Sequence, residues 1–215
     1  MHYFLPAILS DGLIAAGHCL VHAACLERAS GAGRRTVLLV AKSGTGKSTT
    51  ALAMTGAGWR LMGDDIAVVT RTSDGLHAWG FPRFCNVRRP TLALLPWLAE
   101  LPLVPTTVPE TFALPLDELG TRVCQGVPAP APAAAVVCLE PPNPVGHRLA
   151  SLDRAAALLH IAEENVQPME GGTDVAARRS FETLAHFVRT TPAYSLSVGP
   201  RLERIGAVLA EQLCL

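Results

Sequence analysis

The chain has no Cys-x-x-Cys pair, which removes zinc ribbons and thioredoxin-like redox motifs from consideration. Its six cysteines stand singly at positions 19, 25, 85, 124, 138 and 214. No uncharged apolar run reaches the about 18 residues that a membrane-crossing helix needs, so no membrane partner is expected. There is no excess of either charge: Lys+Arg and Asp+Glu are 18 each. Nothing global therefore draws the chain to nucleic acid, and no nucleic-acid partner is expected. Residues 1–10 are apolar but carry no basic n-region, and Asp11 interrupts them, so a secretory signal is not expected. With 215 residues, 49% hydrophobic and 17% charged, the composition suits one compact α/β domain over 1–215, with a core over about 20–165 and a helical part over about 150–215.

The organising stretch is Ala41-Lys42-Ser43-Gly44-Thr45-Gly46-Lys47-Ser48-Thr49-Thr50. It follows Thr36-Val37-Leu38-Leu39-Val40, an apolar run that reads as a buried strand. It leads into Ala51-Leu52-Ala53-Met54, which reads as the start of a helix. Strand, glycine-bearing loop, Gly-Lys-Ser and helix are the context of a phosphate-binding loop, or P-loop. Glycines let the backbone form a nest of N–H donors, and the helix N-terminus adds donors with a positive partial charge. Ser43, Gly44, Thr45, Gly46, Lys47, Ser48 and Thr49 are the expected nucleotide contacts. Lys47 reaches the phosphates, and the Ser48 hydroxyl ligates Mg²⁺. A nucleotide-dependent protein works in a reducing cytoplasm, where the cysteines are expected as free thiols.

Gly56-Ala57-Gly58 closes the helix. A short strand then runs into Asp64-Asp65, and a second strand follows. Arg71-Thr72-Ser73-Asp74-Gly75 turns the chain back through Leu76–Phe81, a β-hairpin that argues for a mixed sheet. Two carboxylates near bound phosphates divide two tasks: one holds Mg²⁺, the other takes a proton from an attacking hydroxyl. One of Asp64 and Asp65 is therefore the candidate base aspartate and the other the candidate metal ligand. His22, upstream of the loop strand, is a candidate to tune that aspartate; a His18–His22 metal pair finds no further ligands.

Beyond residue 81 the pattern weakens. Residues 82–135 are proline-rich, with a short helix expected within 91–101 and broken at Pro96. Residues 127–135 read as a polyproline-like surface connector. A strand is expected over 134–139. Ser151 is the expected N-cap of a helix reaching about Glu164. A helix over 176–190 is expected to bury Phe181, Leu184, Ala185, Phe187 and Val188. Residues 193–198 read as an edge strand, and 202–213 as a last amphipathic helix.

The order Val21-His22-Ala23, strand, Ser43-Gly44-Thr45-Gly46-Lys47-Ser48, then Gly58-Trp59-Arg60-Leu61-Met62-Gly63-Asp64-Asp65 resembles the bacterial HPr kinase/phosphorylase family. It is most similar to its diverged members beside peptide-modification genes, including kinases of lasso-peptide precursors. The resemblance implies a P-loop sheet like that of phosphoenolpyruvate carboxykinase, followed by C-terminal helices. It also implies an ATP- and Mg²⁺-dependent kinase acting on a serine of a peptide or small protein, with Asp64, His22 and Lys47 in catalysis and Ser48 and Asp65 at the metal. The related kinases form hexamers, so a homo-oligomer is open. Three positions depart from the family: Ala41 replaces a Gly, Thr49 replaces a Glu, and Phe81-Pro82-Arg83 stands where a Glu-Ile-Arg-Gly signature would be. Phosphorylase activity is accordingly not expected. A small-molecule kinase and a non-catalytic nucleotide-binding regulator are the alternatives. An ABC-type or motor ATPase is disfavoured, because no Leu-Ser-Gly-Gly-Gln signature occurs and only Leu61-Met62-Gly63 precede Asp64.

Overall fold

A computed structural model describes residues 12–13, 16, 18–31, 33–81, 84–124, 129–165 and 174–215. The first half builds β1 (His18–Val21), β2 (Ala24–Ser30), β3 (Gly33–Val40), α1 (Lys47–Met54), β4 (Arg60–Gly63), β5 (Ala67–Thr72) and β6 (Gly75–Gly80). The second half adds β7 (Phe84–Arg88), α2 (Arg89–Leu94), β8 (Val104–Pro105), β9 (Thr111–Pro115), β10 (Ala131–Glu140) and β11 (Arg148–Ser151). It ends with α3 (Arg154–Asn165), α4 (Asp174–Thr190), β12 (Ala193–Ser197) and α5 (Ile205–Gln212).

β3 lies at the centre because its side chains are apolar on both faces. Thr36, Val37, Leu38, Leu39 and Val40 are all buried, and a fully buried Val or Leu contributes roughly 1.5–3 kcal/mol. Alternation sends them to two different cores. Val37 and Leu39 pack with Leu52, Met54, Leu61 and the α5 residues Ile205 and Leu209. Leu38 and Val40 pack with Val21, Val69, Ile161, Leu184 and Phe187. A nine-stranded sheet therefore carries α1 and α5 on one side, and α3 and α4 on the other.

The sheet is mixed. β3 pairs antiparallel with β2 and parallel with β10, and β10 pairs parallel with β12. β1, β5 and β6 form an antiparallel run that joins β10 only at its start, through Ala131 and Pro132. The expected 61–81 hairpin is present: Thr72 Oγ1 donates to Asp74 Oδ1 (2.6 Å) and to the Gly75 carbonyl (2.9 Å) across its turn. Gly58, at φ +80°, ends the 3₁₀ turn that follows α1. Trp59 is buried beside it and donates its indole N–H to the Gly206 carbonyl at 2.9 Å, tying α5 to the end of α1.

Several expectations need correction. α1 begins at Lys47 rather than Ala51. The connector expected over 127–135 is not a loop from Ala131 onward, since β10 starts there. Pro132 lies at the start of that strand, where it pairs with β6, just before the register shift against β3 between Ala133 and Ala135. Residues 127–128 of that connector lie outside the described residues. Ser151 ends β11, and Asp153 caps α3 instead, its Oδ1 accepting from the Ala155 N–H at 2.8 Å. β12 is not an edge strand: β11 covers it with an antiparallel ladder. On α4, Leu184, Phe187 and Val188 are buried, but Phe181 is exposed.

Candidate phosphate-binding site

The loop joins the C-terminal end of β3 to α1. Its turn is held by Thr45 N–H donating to the Lys42 carbonyl at 3.1 Å. Gly44 and Gly46 adopt φ of +85° and +103°, a left-handed conformation that a side chain would strain. Gly46 is the N-cap of α1, and its carbonyl accepts from Thr50 N–H at 2.9 Å. Ser43 and Gly44 are exposed, while Thr45 and Gly46 are half-buried. The consequence is a short arc of backbone facing outward at a helix N-terminus, the arrangement that cradles phosphate.

Lys47, the first residue of α1, is buried. Its Nζ donates to the Asp64 carbonyl and to Asp65 Oδ1 (3.1 Å), and lies 3.6 Å from Asp64 Oδ1. Ser48 Oγ donates to Asp64 Oδ2 at 2.7 Å. Thr49 Oγ1 shares a 2.7 Å hydrogen bond with Thr91 Oγ1. Loop, helix and acidic pair, separated by 16 residues in sequence, thus form one cluster.

The close crossing of two strands fixes the acidic pair. β4 ends at Gly63 and β6 ends at Gly80, and their backbones touch there. A Cβ on Gly63 would stand 2.7 Å from the Phe81 carbonyl oxygen; one on Gly80 would stand 2.3 Å from Gly63 N. Phe81 N–H donates to the Ile66 carbonyl at 2.8 Å, which clamps the far side of the same turn.

The two aspartates sit in different surroundings. Asp64 is 1% exposed. Its Oδ2 accepts from Ser48 and lies 3.3 Å from Cys85 Sγ, whose thiol is held protonated by burial and by the Asp64 carboxylate itself. Its Oδ1 is buried with no hydrogen-bond partner. The Asp65 side chain is 37% exposed, with Oδ2 accepting from Asn86 Nδ2 at 3.3 Å. A carboxylate with one oxygen on a hydroxyl and the other hydrogen-bonded to nothing, facing only the Lys47 ammonium at 3.6 Å, suits a divalent cation, so Ser48 and Asp64 fit Mg²⁺. Mg²⁺ ordinarily takes one or two carboxylates and completes its shell with phosphate oxygens and water. No cluster of three His, Cys, Asp or Glu capable of holding a metal alone occurs among the described residues.

His22 lies half-buried in the bend between β1 and β2. The registers Val21↔Ala67 and Cys25↔Gly63 bring that bend level with Asp64–Ile66. Arg83 lies outside the described residues. Sequence reasoning missed the small antiparallel sheet β7-β9-β8, which supplies Cys85 and Asn86 to the acidic pair. The available signal was the alternation over Phe84–Arg88, where Cys85 and Val87 are buried and Phe84, Asn86 and Arg88 are exposed.

No helix among the described residues is long and apolar enough to cross a membrane. No family model and no curated protein matches the chain. Among solved structures it is similar to the HPr(Ser) kinase/phosphatase from Coxiella burnetii, at 14% identity over 91% of this chain and 93% of that one, with a TM-score of 0.41.

Proposed function

We propose that the protein is an ATP- and Mg²⁺-dependent kinase that phosphorylates a serine hydroxyl of a peptide or small protein. The observation that carries this reading is the cluster of Lys47, Ser48, Asp64 and Asp65 at the mouth of a glycine-bearing loop. The motif order that resembles the HPr kinase family points the same way.

The surroundings favour reversing the roles that the family resemblance implies. Asp64, buried and bonded to Ser48, suits the metal side; Asp65, partly exposed, suits the proton acceptor. The bound cation would neutralise charge on the phosphates. The loop N–H groups and Lys47 hold the phosphate chain and offset the charge that builds on the transferring group. Asp65 takes the proton of the acceptor hydroxyl as its oxygen bonds to the γ-phosphorus and the bond to ADP breaks. His22, at the neighbouring bend, is the residue proposed to support the acidic pair.

Incubation with γ-labelled ATP, Mg²⁺ and serine-containing peptides tests the reading. Label on serine, lost when Lys47 is replaced by Ala, supports it. Tight ATP binding with no transfer to any acceptor supports a nucleotide-binding regulator instead.

A further inference from the structure

Arg88 and Arg89 are adjacent, yet they face different surroundings. Arg89 is engaged at the surface with Glu110, Nη1 to Oε1 at 3.5 Å. Among the described residues, no carboxylate is paired with Arg88. Its Nη1 instead lies against the phosphate loop, 4.0 Å from where a Cβ on Gly44 would stand. Arg88 ends β7 in extended conformation, at φ −93° and ψ 155°. Strand alternation puts it on the same exposed face as Asn86.

The segment from Cys85 to Thr91 meets the site at four points. Cys85 reaches Asp64, Asn86 reaches Asp65, Arg88 reaches the loop at Gly44, and Thr91 bonds Thr49 on α1. It runs along the acidic pair and the loop. An anion seated on the loop would have Lys47 on the helix side and a guanidinium on the strand side. Arg is the side chain best suited to that position, since its planar fork binds phosphate oxygens in pairs and stays charged at all relevant pH.

We infer that Arg88 is a second phosphate-binding cation, supplied by the small sheet, which contacts the terminal phosphate of a nucleoside triphosphate. This rests on the kinase reading above. The terminal phosphate is the one assigned because Asn86, one pleat back on the same face, touches Asp65, the carboxylate proposed to meet the acceptor. Arg88 therefore reaches over the loop at Gly44 toward the phosphate that faces Asp65, the end of the chain where transfer occurs.

Calorimetric titration of wild type, Arg88→Ala, Arg88→Lys and Arg89→Ala with Mg·ATP and Mg·ADP tests the assignment, with thermal melts to show that each variant is folded. Arg88→Ala should weaken ATP binding roughly tenfold to a hundredfold, the worth of a hydrogen bond to a charged group. ADP affinity should stay within about twofold of wild type, since ADP lacks the contacted group. Arg88→Lys should fall between, and Arg89→Ala should bind both as wild type does. Arg88→Ala with undiminished ATP affinity, or with equal losses for ATP and ADP, overturns the assignment while leaving the kinase reading in place. Failure of the wild type to bind either nucleotide overturns both.

Discussion

Ser48 Oγ donates to Asp64 Oδ2 at 2.7 Å, joining the first turn of α1 to the end of β4 across the sheet. That bond brings a hydroxyl and a buried carboxylate to one point, and the other carboxylate oxygen remains without a donor. The pair is suited to share a cation. Ser48→Ala and Asp64→Asn should each raise the Mg²⁺ concentration needed for half-maximal activity, by roughly tenfold or more. Titrating Mg²⁺ at fixed ATP measures this; an unchanged midpoint in both variants would remove the pair from the metal site.

Asp65 is the test of the chemistry as distinct from binding. Its carboxylate is within reach of solvent and of Lys47 Nζ at 3.1 Å. Asp65→Asn keeps the shape of the side chain but cannot accept a proton. Turnover should fall by about 10²–10⁴-fold, the usual worth of a general base, while nucleotide remains bound. A normal rate in this variant, with the loss appearing in Asp64→Asn, would restore the assignment that the family resemblance implies.

How much of this was legible depended on how local each signal was. The loop was readable because its glycines, Lys47 and Ser48 act over a few residues and carry their chemistry in their spacing. The hairpin through Ser73-Asp74-Gly75 was readable for the same reason, since turn residues announce themselves. The small sheet was not. Its strands β7, β8 and β9 lie among prolines and acquire meaning only by pairing with each other, as in Val87↔Phe112 and Val104↔Ala113. β11 failed similarly: four residues ending in Ser151 look like a helix cap until β12 is known to lie beside them, so β12 was legible as a strand but not as a covered one. Phe181 has the right spacing for the buried face of α4 but remains 45% exposed, because packing of that face is carried by Leu184, Phe187 and Val188. Which of Asp64 and Asp65 is buried could not be read, since adjacent identical residues differ only in what surrounds them.

The strand crossing at Gly63 and Gly80 gives a stability prediction with a functional readout. Gly80→Ala would put a methyl 2.3 Å from both Gly63 N and Met62 C, so backbone must move. Overpacking of this kind typically costs about 1–3 kcal/mol. The displaced strand carries Asp64, so the melting temperature and Mg·ATP affinity should fall together. A stable variant with intact binding would show that the crossing does not position the acidic pair.

The buried thiols make stability fall at alkaline pH. Burial pushes Cys19 and Cys138 up to about 12, above the ordinary value of 9.0, and raises Cys25 as well. The folded chain therefore keeps protons that the unfolded chain releases as pH passes about 9. The stabilisation is complete below that point and is lost progressively as pH rises toward about 12. The urea midpoint should be lower at about pH 10 than at about pH 8, and Cys138→Ala should reduce the difference. A midpoint that does not change over this range would mean that these thiols ionise as readily in the folded chain as in the unfolded one.

The most direct test is nucleotide binding at the loop itself. Lys47 Nζ is held between Asp64 and Asp65 at the foot of the Gly44–Gly46 arc. Calorimetric titration of wild type and Lys47→Ala with Mg·ATP should show saturable binding to the wild type and a loss of roughly tenfold or more in the variant. Equal affinity in the two proteins, or no binding to the wild type, would contradict the assignment of this loop as a phosphate site.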